Sequence, residues 1–200
     1  MSAGRSRLIV VAFLLWLAFS LTVIGASRTS ITVDESFHIG IGYSVLDTGD
    51  YRMLEQHPPL IQELSAWSLL LIPDLTRARE APGWAESHPF RLGRFLARYR
   101  PIDRVVFPTR VPVALLSVLL GTFVYRWAAD WRGAGRNAGL IALGLYALDP
   151  NILAHAQVVT TDLGVACFTY CSIFLPTLSP PANMGADGCS RHRTGAVAGV

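Results

Sequence analysis

A chain of 200 residues that is 52% hydrophobic is too apolar for an ordinary soluble domain. Its net charge of +3 is too small to argue for nucleic-acid binding. Cys167, Cys171 and Cys189 form neither a CxxC pair nor a zinc-ligand spacing, which excludes the common cysteine-based metal modules.

In chain order, residues 8–26 come first, an uncharged apolar run long enough to cross a bilayer as a helix. Arg5 and Arg7 before it would also suit a cleaved signal. The run is longer than most signal cores, however, and Ile24-Gly25-Ala26 is a poor cleavage site. Residues 27–108 form a long connection. Within it 34–46 predicts a short helix closed by the Thr-Gly-Asp turn at 48–50. A second helix is predicted at 59–72, with Pro59 suited to its first position. It is too short to span and polar along part of its length, as a helix lying in the membrane interface would be. Residues 74–108, punctuated by Pro82, Gly83, Pro89 and Pro101, read as irregular. Three more apolar stretches predict spans at 109–129, 137–149 and 162–178, the last two short. Residues 179–200 have neither an apolar run nor a helical period and read as a disordered or aberrant tail.

Charge orients these spans. Arg5 and Arg7, then Arg126, Arg132 and Arg136, then Arg191 and Arg193 fall on one side, whereas the 149–162 turn has no arginine. Basic short loops face the cytoplasm, which puts both termini inside and 27–108 outside. The expected fold class is an all-α integral membrane protein, multi-pass in the cell (inner) membrane. It has about four transmembrane helices and a long extracytoplasmic first loop containing interfacial helices.

Several polar positions stand out against this background. Thr32-Val33-Asp34-Glu35 fits a capping box, a Thr N-cap answered by Glu three residues on. The same carboxylates at a membrane surface also suit a general base. Glu35 and His38 lie one helical turn apart, and with Glu55 and His57 they make a candidate four-residue metal set. His57-Pro58-Pro59 reads as a helix-starting turn that also fixes the direction of His57, as a phosphate partner requires. Arg110, at the start of the second span, suits either the lipid headgroups or a lipid-borne phosphate. Asp162 opens the fourth span, either as a favourable helix N-terminal charge or as a carboxylate with a role.

The order of these elements continues into Leu145-Tyr146-Ala147-Leu148-Asp149-Pro150-Asn151 and then His155 and Thr160-Thr161-Asp162-Leu163. Over residues 8 to 175 it resembles the N-terminal part of GT-C membrane glycosyltransferases of the protein O-mannosyltransferase type. These include the bacterial phospholipid-carrier-dependent transferases and the lipid A aminoarabinose transferase. The resemblance implies a partial GT-C fold within residues 1–178. It also implies transfer of a hexosyl or pentosyl unit from a polyprenyl-phosphate-linked sugar to a hydroxyl of a glycan, lipid or protein acceptor on the outer face. Asp34 matches the catalytic aspartate and Glu35 its acidic neighbour. His57 falls near the donor phosphate and Asp162 matches an aspartate facing the site, while Arg110 is a second candidate phosphate ligand by its own guanidinium chemistry. The cofactor is left open, with a divalent metal as the candidate and Glu55 and His57 as its weak ligands. Gln56 stands where several relatives have an acidic residue, a departure that weakens the metal assignment. Such enzymes have roughly a dozen spans, so this chain is expected to be a truncated piece without activity by itself. The alternatives are a non-catalytic membrane fragment or scaffold, and a four-span metal-binding membrane protein.

Overall fold

The computed structural model describes residues 2–54, 56–98 and 103–177. The tail at 179–200 and Glu55 lie outside them. Among the described residues every regular element is helical. The eight α-helices are α1 (Ser2–Ala26), α2 (Val33–Thr48), α3 (Leu60–Ala66), α4 (Pro89–Ala97), α5 (Asp103–Asp130), α6 (Gly135–Leu148), α7 (Pro150–Ala156) and α8 (Asp162–Thr177). Two segments are long and apolar enough to cross a membrane, Gly4–Ala26 within α1 and Asp103–Gly133, which is α5 with the 3-10 turn that follows it. With 25 and 28 residues, α1 and α5 extend about 37 and 42 Å, more than the roughly 30 Å of a hydrocarbon core. At 14 and 16 residues, α6 and α8 extend only about 21 and 24 Å.

Helix α5 is central and lies against α1, α6 and α8. Their shared core is Val113, Leu116, Leu120, Leu143, Tyr146, Leu163 and Cys167. The opposite faces are apolar as well. Leu8, Ile9, Phe13 and Trp16 of α1, Leu115 of α5, Ile141 and Leu145 of α6, and Val165 and Ile173 of α8 all point outward. A bundle that is apolar on its outside as well as its inside suits lipid better than water.

Helix α7 also lies against α1 and α5, while α2, α3 and α4 form a second layer at one end of the bundle, where α2 packs on the other two. Ile39, Ile41, Tyr43, Leu69, Trp84, Leu92 and Leu96 make its core. The capping box read from the sequence is formed at the start of α2. The Thr32 hydroxyl accepts from the Glu35 amide at 3.2 Å, and Glu35 Oε2 accepts from the Thr32 amide at 2.9 Å. Gly49 closes α2 in the left-handed region at φ 69° and donates to the Val45 carbonyl at 2.8 Å. It supplies the turn expected at 48–50, where a side chain would be strained.

The predicted helix at 59–72 is split. Past Ala66 it tightens into a 3-10 turn over Trp67–Leu71. Its polarity is inverted, with Gln62 and Ser65 fully buried while Leu60, Leu64, Trp67 and Leu71 form an exposed stripe at helical spacing. This orientation presents apolar side chains to the surroundings, as an interfacial helix does. The 74–108 segment is more ordered than expected. It contains α4, started by Pro89 with His88 as N-cap, and α5 begins at Asp103 rather than 109.

Two helix crossings depend on missing side chains. A Cβ at Gly93 of α4 would collide with the Ser36 carbonyl of α2, and one at Gly42 would collide with the Gln62 carbonyl of α3. The obstacles are backbone atoms, so the neighbour cannot rotate away. Gly93→Ala is therefore expected to cost about 1–3 kcal/mol, in the range of core overpacking. It should register as a lower melting temperature in detergent, and unchanged melting would mean that α2 and α4 do not cross this closely.

Candidate functional site

Three chain segments meet where the second layer rests on the bundle. The start of α2 brings Asp34, Phe37 and His38, the 56–57 turn brings Gln56 and His57, and the approach to α8 brings Thr160, Thr161 and Asp162. With Phe90 they line an open cavity of about 370 Å³. Asp34, His57 and Asp162, three of the positions singled out by the sequence, thus share one cavity. Asp34 and His38 are four apart on α2 and project from the same face. The rings of His38 and His57 lie 5.4 Å apart, and Phe37 stands edge-on to both at 5.3 and 6.4 Å. Asp162 is exposed and has His155 Nδ1 at 3.4 Å from Oδ2.

Glu35 and Arg110 do something different from what the sequence suggested. Both are buried, at 0% and 2% exposure, and they form a two-pronged ion pair. Arg110 Nε donates to Oε1 at 2.7 Å and Nη2 to Oε2 at 2.8 Å. Glu35 also accepts from the Thr32 amide on Oε2 and from the Val159 amide on Oε1, at 2.9 and 3.0 Å. Four donors saturate the carboxylate. Arg110 gives its other hydrogens to the carbonyls of Ala26, Thr29 and Ser30, at 2.6, 2.8 and 3.1 Å. Its five N–H groups are all engaged. Two assignments are thereby corrected: Glu35 has no lone pair left to take a substrate proton, and Arg110 has no donor left for a donor phosphate. The pair is instead a clamp that ties the start of α2 to α5, to the chain leaving α1 and to the segment entering α8. Val159 is next to Thr160, so the clamp ties together the two segments that carry Asp34 and Asp162 at the cavity.

His38 was read from the sequence only as a metal-set member or a polar residue on its helix. The Asp34/His38 spacing was the signal that could have placed it at the site. Its Nδ1 accepts from the buried Gln62 amide at 3.1 Å, which with this amide orientation leaves the ring proton on Nε2. Burial, and after it the neighbouring His57, hold His38 below its ordinary value of 6.5, against the upward pull of Asp34, Asp162 and Glu35. Lowering a histidine pKa in the folded state makes the neutral ring the stabilising form. The unfolded chain takes up a proton near 6.5 and the folded chain only at lower pH. This contribution is thus present above 6.5 and is lost as pH falls from there through the folded value. Melting curves on either side of 6.5 should show that loss, and His38→Gln should remove this part of it. Superposable pH profiles for the two proteins would exclude the role.

A divalent metal fits the described residues poorly, and Glu55, one of its candidate ligands, lies outside them. Among the described residues no group of three or more His, Cys, Asp or Glu side chains converges as metal ligands would. Glu35, a member of the proposed set, is already saturated. Other members, His38 and His57, face the same cavity as Asp34 and Asp162. What they offer is proton transfer and hydrogen bonding to an anion, beside an aromatic wall of Phe37 and Phe90, whose rings meet at a tilt with centroids 4.9 Å apart. Comparison with family models, with curated proteins and with solved structures gives no match to this chain.

Proposed function

We propose that the protein takes part in glycosyl transfer at the outer face of the cell membrane, moving a sugar from a polyprenyl-phosphate donor to an acceptor hydroxyl. The observation that carries this reading is the convergence of Asp34, His57 and Asp162 in one cavity. The motif order that resembles GT-C transferases adds to it. So does the outward stripe of Leu60 and Leu64 on α3 and Trp67 and Leu71 on the 3-10 turn after it, a pattern that suits a lipid surface next to the cavity. In this reading α6 and α8, with their outward apolar faces, are the third and fourth spans beside α1 and α5.

The chemistry assigns each group a task. Asp34, exposed at the cavity and on a helix start pinned by the Glu35 clamp, accepts the proton of the acceptor hydroxyl. The hydroxyl oxygen forms a bond to the anomeric carbon, and the bond from that carbon to the phosphate oxygen breaks. The electron pair leaves on the polyprenyl phosphate. His57, fixed by Pro58 and Pro59, donates a hydrogen bond to that phosphate, and Asp162 orients the sugar or acceptor across the cavity. Anionic transition-state charge next to a fixed donor is where most of the acceleration of such transfers arises.

The test is transfer of a labelled sugar from a polyprenyl-phosphate donor in membranes of cells that express the protein from its own chromosomal locus. Transfer that depends on the locus and on Asp34 is expected. Transfer indifferent to deletion of the locus would rule the reading out and leave a non-catalytic membrane scaffold, in which the Asp34-Glu35 pair serves only to start α2.

A further inference from the structure

A second cavity, of about 390 Å³, lies at the opposite end of the bundle from the candidate active site. Its walls come from three helices: Arg7 and Leu8 from the start of α1, Tyr125, Arg126 and Asp130 from the end of α5, and Arg136 from the start of α6. Three arginines face one aspartate. Only Arg126 is near that aspartate, at a long 4.0 Å. Arg7 is half-buried among its neighbours.

The helix ends add to the imbalance. Neither α1 nor α6 has an acidic residue in its first turn, and the N-cap of α6, Ala134, offers no side-chain acceptor. Helix N-termini carry partial positive charge and unpaired N–H groups, so a carboxylate is normally favoured there and a cation disfavoured. Here two such ends are decorated with arginine and directed at the same space. Gly139, one turn beyond Arg136, lets α6 close on the Tyr125 carbonyl and hold Arg136 near Arg126, since a Cβ there would come within 2.7 Å of that oxygen. Aromatic rings frame the same end. Trp127 packs on Tyr170 at 4.5 Å and Trp131 is exposed, an arrangement typical of the level where a bilayer meets water.

We infer that this cavity binds the phosphate of an anionic phospholipid in the cytoplasmic leaflet, with Arg7, Arg126 and Arg136 as its ligands and the acyl chains against the apolar outer faces of α1 and α6. A concave arginine cluster between spanning helices is the form that such lipid sites take, and guanidinium groups match phosphate oxygens in pairs. The inference needs only that α1 and α5 cross the membrane, and it stands apart from the sugar-transfer chemistry.

The test uses the full chain purified in mild detergent and supplied with phosphatidylglycerol, with phosphatidylcholine, or with water-soluble glycerol phosphate, with bound ligand counted by native mass spectrometry. One phosphatidylglycerol per chain should be retained at saturation and phosphatidylcholine should not. Arg7→Gln and Arg136→Gln should each weaken retention about fivefold, the change equivalent to roughly 1 kcal/mol per interfacial arginine. Arg136→Lys should keep most of it, and Arg104→Gln, at the far end of α5, should leave it unchanged. Equal retention of phosphatidylcholine, or losses no larger at Arg7 and Arg136 than at Arg104, would overturn the inference. Binding of glycerol phosphate as tight as that of the lipid would overturn the assignment to a membrane ligand.

Discussion

Arg110→Ala should unfold or strongly destabilise the protein, by about 3–5 kcal/mol, rather than yield a stable protein with a weakened phosphate site. The substitution leaves Glu35 fully buried without its counter-ion and strips donors from the Ala26, Thr29 and Ser30 carbonyls. Breaking one side of a buried pair carries that cost because the remaining charge can neither reach water nor find a new partner. Removing both charges is a different experiment. Glu35→Met with Arg110→Met keeps the volume and leaves no orphan ion, so it should recover a large part of the loss. Recovery should be incomplete, because the Val159 amide and the three carbonyls still lack partners. Thermal melts in detergent of the single and double variants would decide. A stable Arg110→Ala protein that melts like wild type would show that the clamp does not hold these segments together.

On the proposed glycosyl-transfer reading, Asp34→Asn in the complete protein is expected to lower transfer by about 10²- to 10⁴-fold, the usual worth of a positioned general base. Stability should change by no more than about 0.3–1 kcal/mol, the value of one carboxylate at a helix N-terminus. The asymmetry follows from the local structure: Thr32 and Glu35 already form the capping box, so Asp34 is not needed to start α2. Normal melting with transfer reduced to that extent is the signature to look for, measured against the wild-type locus in the same membranes. Transfer within a few-fold of wild type would remove Asp34 from the chemistry. Loss of both folding and transfer would mean that Asp34 holds α2 in place, contrary to its exposed position.

The two variants touch neighbouring parts of one motif, and the contrast shows what the sequence could and could not disclose. The capping box was legible because its partners are three residues apart and the helix period brings them together. The first helix was legible through length and hydropathy, and the Thr-Gly-Asp turn through the tolerance of Gly49 for positive φ. Helix α4 was hidden because Arg91 and Arg94 interrupt its apolar residues, and Pro89 was taken as a breaker where it occupies the first turn. Asp34, His57 and Asp162 could be named by motif order, yet no local rule could say that they share a cavity. The fate of Glu35 and Arg110 was further out of reach. A motif containing Asp-Glu reads as two acids with related roles, whereas burial separates them, one facing the cavity and one locked to an arginine 75 residues away.

The bonds to Glu35 also imply a timetable for synthesis. Its partners lie 3, 75 and 124 positions along the chain. A nascent chain can close the first bond as soon as α2 forms, the second only when α5 has emerged, and the third only when the residues entering α8 have been made. Contacts so distant in sequence are slow to close and come late. Until α5 has emerged Glu35 lacks its counter-ion, and until the residues entering α8 are made the wall that carries Asp162 is missing. Maturation of the cavity is thus coupled to delivery of the last described helix, and a ribosome pause between codons 110 and 159 would hold the protein in a half-built state exposed to quality-control proteases.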